Sequence, residues 1–165
     1  MTTRLPIVRF PSPVLKRPSI TISDVTDEIR ELAASMVATM TQADGIGLAA
    51  IQVGEPVRMF VTSELQDSGQ PLVLLNPVIV EASTTTRTME EGCLSIPGLK
   101  VPVTRPDHVV VRYLGLDGTE HDVVAADLAA SCVQHEIDHL DGHLIIDRLS
   151  RLKRTRFETK ISKRR

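Results

Sequence analysis

Two helical patterns separated by a series of short β-like runs predict an α+β fold. Its short, mainly antiparallel strands should pack around a helix carrying an H-E-x-x-H motif. Three observations support this. Ile29, Leu32, Ala33, Met36, Val37 and Met40 recur at the i, i+3, i+4, i+7 spacing of an amphipathic helix. Short runs rich in β-branched and aliphatic residues fill the middle of the chain, bounded by turn sequences. A second apolar helical stretch with Leu128, Val133, Ile137 and Leu140 follows, and it contains His135, Glu136 and His139.

Taken in order, residues 4–22 contain Pro6, Pro11, Pro13 and Pro18, which exclude a long helix and predict an extended strap across the body. The first helix can be capped by Asp24 or Thr26 and ends at Asp44-Gly45. In Gly45-Ile46-Gly47-Leu48-Ala49-Ala50-Ile51-Gln52, two glycines bracket one apolar residue and admit close backbone approach. The stretch is not a dinucleotide fingerprint, because the third glycine is missing and a helix precedes it. Gln52 closes an apolar run, so its amide either satisfies buried structure or faces a ligand.

Strands are expected at Val57 to Thr62, Leu72 to Leu75, Val78 to Val80, Val109 to Leu114 and His121 to Val124. Turns fall at Asp67-Ser68-Gly69 and Asp117-Gly118, and Arg112 to Thr119 reads as a hairpin. Between the strands, Gly92 and Pro97 bracket Cys93, which suits a thiol at a bend or strand end aimed into a cleft. A lone cysteine is more often an inert small core residue. The second helix begins after Ala125 and stops at Gly142, and Ser150 can cap a short basic helix.

At 165 residues the chain has the length of one domain, divided into a catalytic body, 1–147, and a basic extension, 148–165. The extension holds nine Lys/Arg and one acid, a net +8, against ten bases and twenty acids in the body, a net −10. This asymmetry predicts an anionic partner for the tail, or simply a solvated end. Phe10, Phe60, Phe157 and Tyr113 are the only aromatic residues besides the histidines, too few for stacking on nucleic-acid bases, and no DNA partner is expected. Cys93 and Cys132 form no disulfide framework, and neither an apolar leader nor a run of about 18 apolar residues is present. A cytoplasmic protein with no membrane partner is expected.

The chemistry concentrates in Gln134 to Gly142. Four apart on a helix, His135 and His139 share a face and can reach one metal ion. Glu136 is turned about 100° from His135, where a general base belongs. Two solvated histidines on an exposed helix are the bland alternative, but the apolar residues around them favour a buried site. A catalytic ion needs a third protein ligand. Cys132 and His139 are seven residues apart, about 10.5 Å along the axis, too far to share an ion with His135. Ile145 stands where one protease class carries its third histidine, and the only later glutamate, Glu158, lies in the basic tail. Cys93 is the best remaining donor. A zinc endopeptidase and a metal-stabilised binding module remain open on these residues alone.

Gly45 to Gln52, Glu91-Gly92-Cys93-Leu94-Ser95 and Gln134 to His139 together resemble the three motifs of bacterial peptide deformylases, in that family's order and spacing. The likeness spans nearly the whole chain. It implies hydrolysis of the N-formyl group from the N-terminal formylmethionine of new polypeptides, with release of formate. It implies one divalent metal ion on Cys93, His135 and His139, natively Fe(II), with nickel, cobalt or zinc also able to bind. Glu136 would be the general acid and base, and the Gln52 side chain and Leu94 backbone N–H would stabilise the oxyanion. Gly47 would let the substrate backbone approach, Ile46, Leu128 and Cys132 would line the methionine pocket, and Arg105 would lie near the substrate. Ser131 stands where the family often has a larger aliphatic residue. The substrate's origin suggests the ribosome as the partner of the basic tail.

Overall fold

The computed structural model describes residues 2–164. Helix α1, Asp27–Gln42, begins at Thr26, whose hydroxyl accepts the Ile29 N–H at 3.3 Å. A cap of this kind contributes about 1 kcal/mol. Asp44 takes a positive φ of 53° just beyond the helix, as the Asp44-Gly45 stop predicts.

Among the described residues, seven strands follow the expected, mainly antiparallel plan. A five-stranded sheet is built from β1 (Gly47–Ala49), β2 (Met59–Thr62), β3 (Leu72–Ala82), β6 (His108–Leu114) and β7 (Glu120–Ala126), in the order β1-β2-β3-β6-β7. Strands β6 and β7 form the hairpin read from Arg112 to Thr119. The runs Leu72 to Leu75 and Val78 to Val80 join into one strand of 11 residues, so the strands are not uniformly short. A register shift interrupts it at Asn76, whose φ is 49°. The Asn76 amide accepts the Ile22 N–H and donates to the Ile22 carbonyl, both at 2.8 Å, so the irregularity anchors the N-terminal strap.

The alternation of side chains along each strand assigns the two faces of this sheet. Met59 and Val61 point to α1 with Met36, Met40, Leu48 and Leu75. Phe60 points the other way, where Leu74, Val111, Val133, Ile137 and Leu140 close the main core against α2, Leu128–Leu140. The motif helix is therefore buried along most of its length, which is why it can present histidines inward.

A second sheet was not visible in the apolar pattern. Strands β4 (Thr86–Cys93) and β5 (Ile96–Pro106) form a long hairpin closed by Leu94 and Ser95. Thr86, Arg87, Thr88, Glu90 and Glu91 leave β4 without hydrophobic alternation, and only its pairing with β5 defines it. Strap and site are tied together by the backbone: Val8 N–H donates to Gln52 O at 2.7 Å, Phe10 N–H to Ser95 O at 2.9 Å and Ser19 N–H to Leu140 O at 2.8 Å.

Helix α2 ends at Gly142, which has a φ of 82° and lies so close to the strap that a Cβ there would meet Lys16 O at 2.6 Å. The basic segment forms α3, Arg151–Ser162, with Ser150 capping the Lys153 N–H. Arg154 pairs with Asp147 at 2.9 Å, and the Phe157 ring lies 5.7 Å from that of Phe10. None of the described helices is long and apolar enough to cross a membrane.

Candidate metal centre

Two scaffolds deliver the donors. Helix α2 supplies His135 and His139 from one face, and the β4 end supplies Cys93 just before the Leu94-Ser95 turn. Their donor atoms all lie within 4.8 Å of one another. His139 Nε2 is 3.3 Å from Cys93 Sγ and 3.2 Å from His135 Nε2. Tetrahedral bonds of ordinary metal–thiolate and metal–imidazole length separate such atoms by about 3.5 Å and about 3.3 Å. The constellation fits one ion with two imidazoles and a thiolate.

The ring orientation supports the same fit. His135 Nδ1 lies 3.0 Å from Glu91 Oε2, and a carboxylate there fixes the proton on Nδ1 and leaves the Nε2 lone pair facing the triad. Glu91 is itself held by Arg105, whose Nε and Nη2 donate to its two oxygens at 2.6 and 3.0 Å. Arg105 Nη1 donates to Asp138 at 2.9 Å. Burial opposes ionisation of Glu91, but the hydrogen bonds from His135 and Arg105 outweigh it and hold the carboxyl at about 2. Removing one partner of so buried a pair costs about 3–5 kcal/mol.

Glu136 has a different environment. Burial pushes its carboxyl up to about 7 against the pull of His135, and Oε2 is buried without a hydrogen-bond partner among the described residues. Its other oxygen faces Gly47, where an added Cβ would stand 2.5 Å from Oε1 and 2.9 Å from Cys132 Sγ. Nothing larger than hydrogen fits at 47 without moving Glu136. His139 Nδ1 is likewise buried and unpartnered.

The amide of Gln52 is oriented by its surroundings. Oε1 accepts the Ala49 N–H at 2.9 Å, so Nε2 is directed to Ser95 Oγ at 3.1 Å and Cys93 Sγ at 3.6 Å. Gln52 serves structure and faces the candidate metal triad at once. Leu94 belongs to the same turn as Ser95 and lines the cleft with Gln52 and Cys93. The cleft encloses about 690 Å³, within the range of small-ligand sites. At its mouth Ile46 and Leu128 are 41% and 43% exposed, unusual for large aliphatics beside a polar centre, and Cys132 and Ser131 lie deeper. Burial pushes the Cys132 thiol far up, and its Sγ, 3.4 Å from Thr62 Oγ1, forms part of the cleft wall.

Arg105 is the expected site residue that the structure leaves outside the cleft. It is 4% exposed, and its fork is committed to Glu91 and Asp138, so it reaches the site by holding a partner of His135. Glu91, Ser95 and Asp138 are in the site without having been expected there. Glu91 precedes Cys93 by two residues, the spacing that keeps strand side chains on one face, and that signal was present in the motif. Ser95 and Asp138 act through contacts between separate segments and leave no local trace.

Comparison with known proteins agrees with this geometry. The family model described as polypeptide deformylase matches residues 4–155. The chain is 45% identical over 159 residues to a peptide deformylase of Maricaulis maris, covering 95% of this chain and 91% of that one. It is 47% identical over 161 residues to one of Rhodopseudomonas palustris, covering 95% and 89%. The crystal structure of the Ehrlichia chaffeensis peptide deformylase superposes with a TM-score of 0.92 at 35% identity, covering 98% of this chain and 97% of that one. A structure of the protein from that organism in complex with actinonin also gives 0.92, at 36% identity and 98% coverage of both chains.

Proposed function

The chain belongs to the polypeptide deformylase family, and from that premise we propose how its residues divide the hydrolysis of N-terminal formylmethionine on new polypeptides, which releases formate. The convergence of Cys93 Sγ with two imidazole nitrogens, next to a buried and unpartnered Glu136 oxygen, carries the reading. The family makes the enzyme a metal-dependent hydrolase and removes the zinc endopeptidase alternative.

Cys93, His135 and His139 would hold one divalent ion, Fe(II) natively, with nickel, cobalt or zinc as substitutes; a thiolate beside imidazoles suits these softer ions better than an all-oxygen site does. Such an ion supplies Lewis-acid polarisation of the formyl oxygen and activation of water. Glu136 takes the proton of the attacking water and returns it to the leaving amine. Gln52 Nε2 and the Leu94 N–H donate to the oxygen that gains negative charge. Ile46, Leu128 and Cys132 take up the methionine side chain. Strand β1 is the outer strand of its sheet, and Gly47 at its start lets the substrate backbone run beside it. The assay is formate release from formyl-Met peptides, and its absence from iron- or nickel-loaded protein refutes the assignment.

Residues 1–147 form the catalytic unit on this reading, in a cytoplasmic protein, and 148–165 form a basic extension. Helix α3 has no buried residue and carries Arg151, Lys153, Arg156 and Lys160 alongside few acids, which supports a contact with ribosomal RNA near the nascent chain. Deletion of residues 150–165 should reduce co-sedimentation with ribosomes, most clearly at low salt. Equal co-sedimentation of both forms at every salt concentration would refute that contact.

A further inference from the structure

The partners of His135 do not end at Arg105. Asp138 Oδ2 accepts from Arg105 Nη1 at 2.9 Å and also from Arg148 Nη2 at 3.0 Å. A line of alternating charge therefore runs from His135 Nδ1 through Glu91, Arg105 and Asp138 to Arg148. Arg148 closes the 3₁₀ turn Ile145–Arg148, two residues before the Ser150 cap of α3. It is the only member of the line that lies outside β4, β5 and α2.

We propose that Arg148 is a positioning residue for the metal ligand His135, so that the segment launching the C-terminal helix sets how firmly the metal centre is held. The Asp138 carboxylate is partly exposed and sits between two guanidinium groups. With Arg148 present, the line holds two acids and two bases, and Arg105 keeps both oxygens of Glu91 while touching Asp138. Without Arg148, one acid is left over. Asp138 then either draws Arg105 away from Glu91 or turns to solvent and strips Arg105 of its Nη1 partner. In both cases the carboxylate that orients the His135 ring loses its fixed geometry. Outer partners of metal-binding histidines act through this kind of orientation.

The proposal rests on Cys93, His135 and His139 being the metal centre, and the test separates the two claims. Wild type, Arg148→Gln, Arg148→Lys and Arg154→Gln are loaded with Co(II), and metal release to excess chelator is timed alongside kcat and KM. Arg148 is 42% exposed, so its replacement leaves the core intact. The expected result is release from Arg148→Gln faster by about threefold, below the roughly 10–100-fold that a direct partner of a metal-binding histidine contributes, because Arg148 acts through Asp138, Arg105 and Glu91. Arg148→Lys should restore part of the difference, and KM should stay at the wild-type value. Arg154→Gln cuts the pairs with Asp147, the neighbour of Arg148 in the turn, and with Glu158 while leaving every contact of the line in place, and should release metal at the wild-type rate. Equal release from Arg148→Gln and wild type overturns the proposal while the metal assignment stands. Equally fast release from Arg154→Gln also overturns it, because general loosening of the C-terminal segment then explains the effect. Wild type that holds no cobalt takes down both claims together.

Discussion

Glu136→Gln should lower kcat for formate release by about 10³-fold, in the middle of the range for loss of a general acid–base group. The substitution keeps the size of the side chain, and Gly47 leaves room beside it for either terminal atom. It removes a carboxylate that burial disfavours and that has one oxygen unpartnered among the described residues, so stability should not fall. Metal content should be unchanged, because Cys93, His135 and His139 converge without Glu136. Metal analysis and a thermal melt alongside the kinetics check the three statements. A variant that turns over at the wild-type rate would return the protein to a metal-stabilised binding module.

Cys93→Ser should weaken metal binding by at least about 100-fold, since loss of a ligand costs more than the 10–100-fold that an outer-shell partner contributes. Serine preserves the strand end and the turn to Ser95 but gives the ion a neutral hydroxyl in place of a thiolate. Titration with Co(II), followed by its thiolate absorption band, reads the effect directly. Retention of metal at wild-type affinity would mean that the two histidines recruit a different third ligand. The two substitutions thus separate proton transfer from metal retention.

Much of this site was legible in the sequence because its chemistry is local. His135, Glu136 and His139 are placed by helical periodicity, and the seven-residue gap between Cys132 and His139 excluded Cys132 as a ligand before any fold was known. Thr26 and Gly142 mark helix ends through capping and a positive φ, both properties of short stretches. The β4–β5 hairpin was not legible. Its first strand is mostly polar, with Met89 its one large apolar residue, and cross-strand pairing with β5 organises it in place of an apolar face. Arg105 shows the same limit at the level of one side chain. The family resemblance placed it near the substrate, but Glu91 and Asp138, which come from β4 and α2, take its fork, and Glu91 in turn contacts His135. Gln52 was open to two readings, and both hold: its Oε1 accepts the Ala49 N–H, which turns the other end of the amide toward Cys93.

The most direct test of the central claim is formate released from a formyl-Met peptide by anaerobically prepared, Fe(II)-loaded protein, with the acetyl-Met peptide as the competing substrate. The account predicts stoichiometric formate from the formyl peptide, none after metal removal, and little or no acetate, because on this account the acyl group sits against Gln52 and Leu94, both of which line the cleft. No formate from the loaded protein, or cleavage of internal peptide bonds in its place, would contradict it.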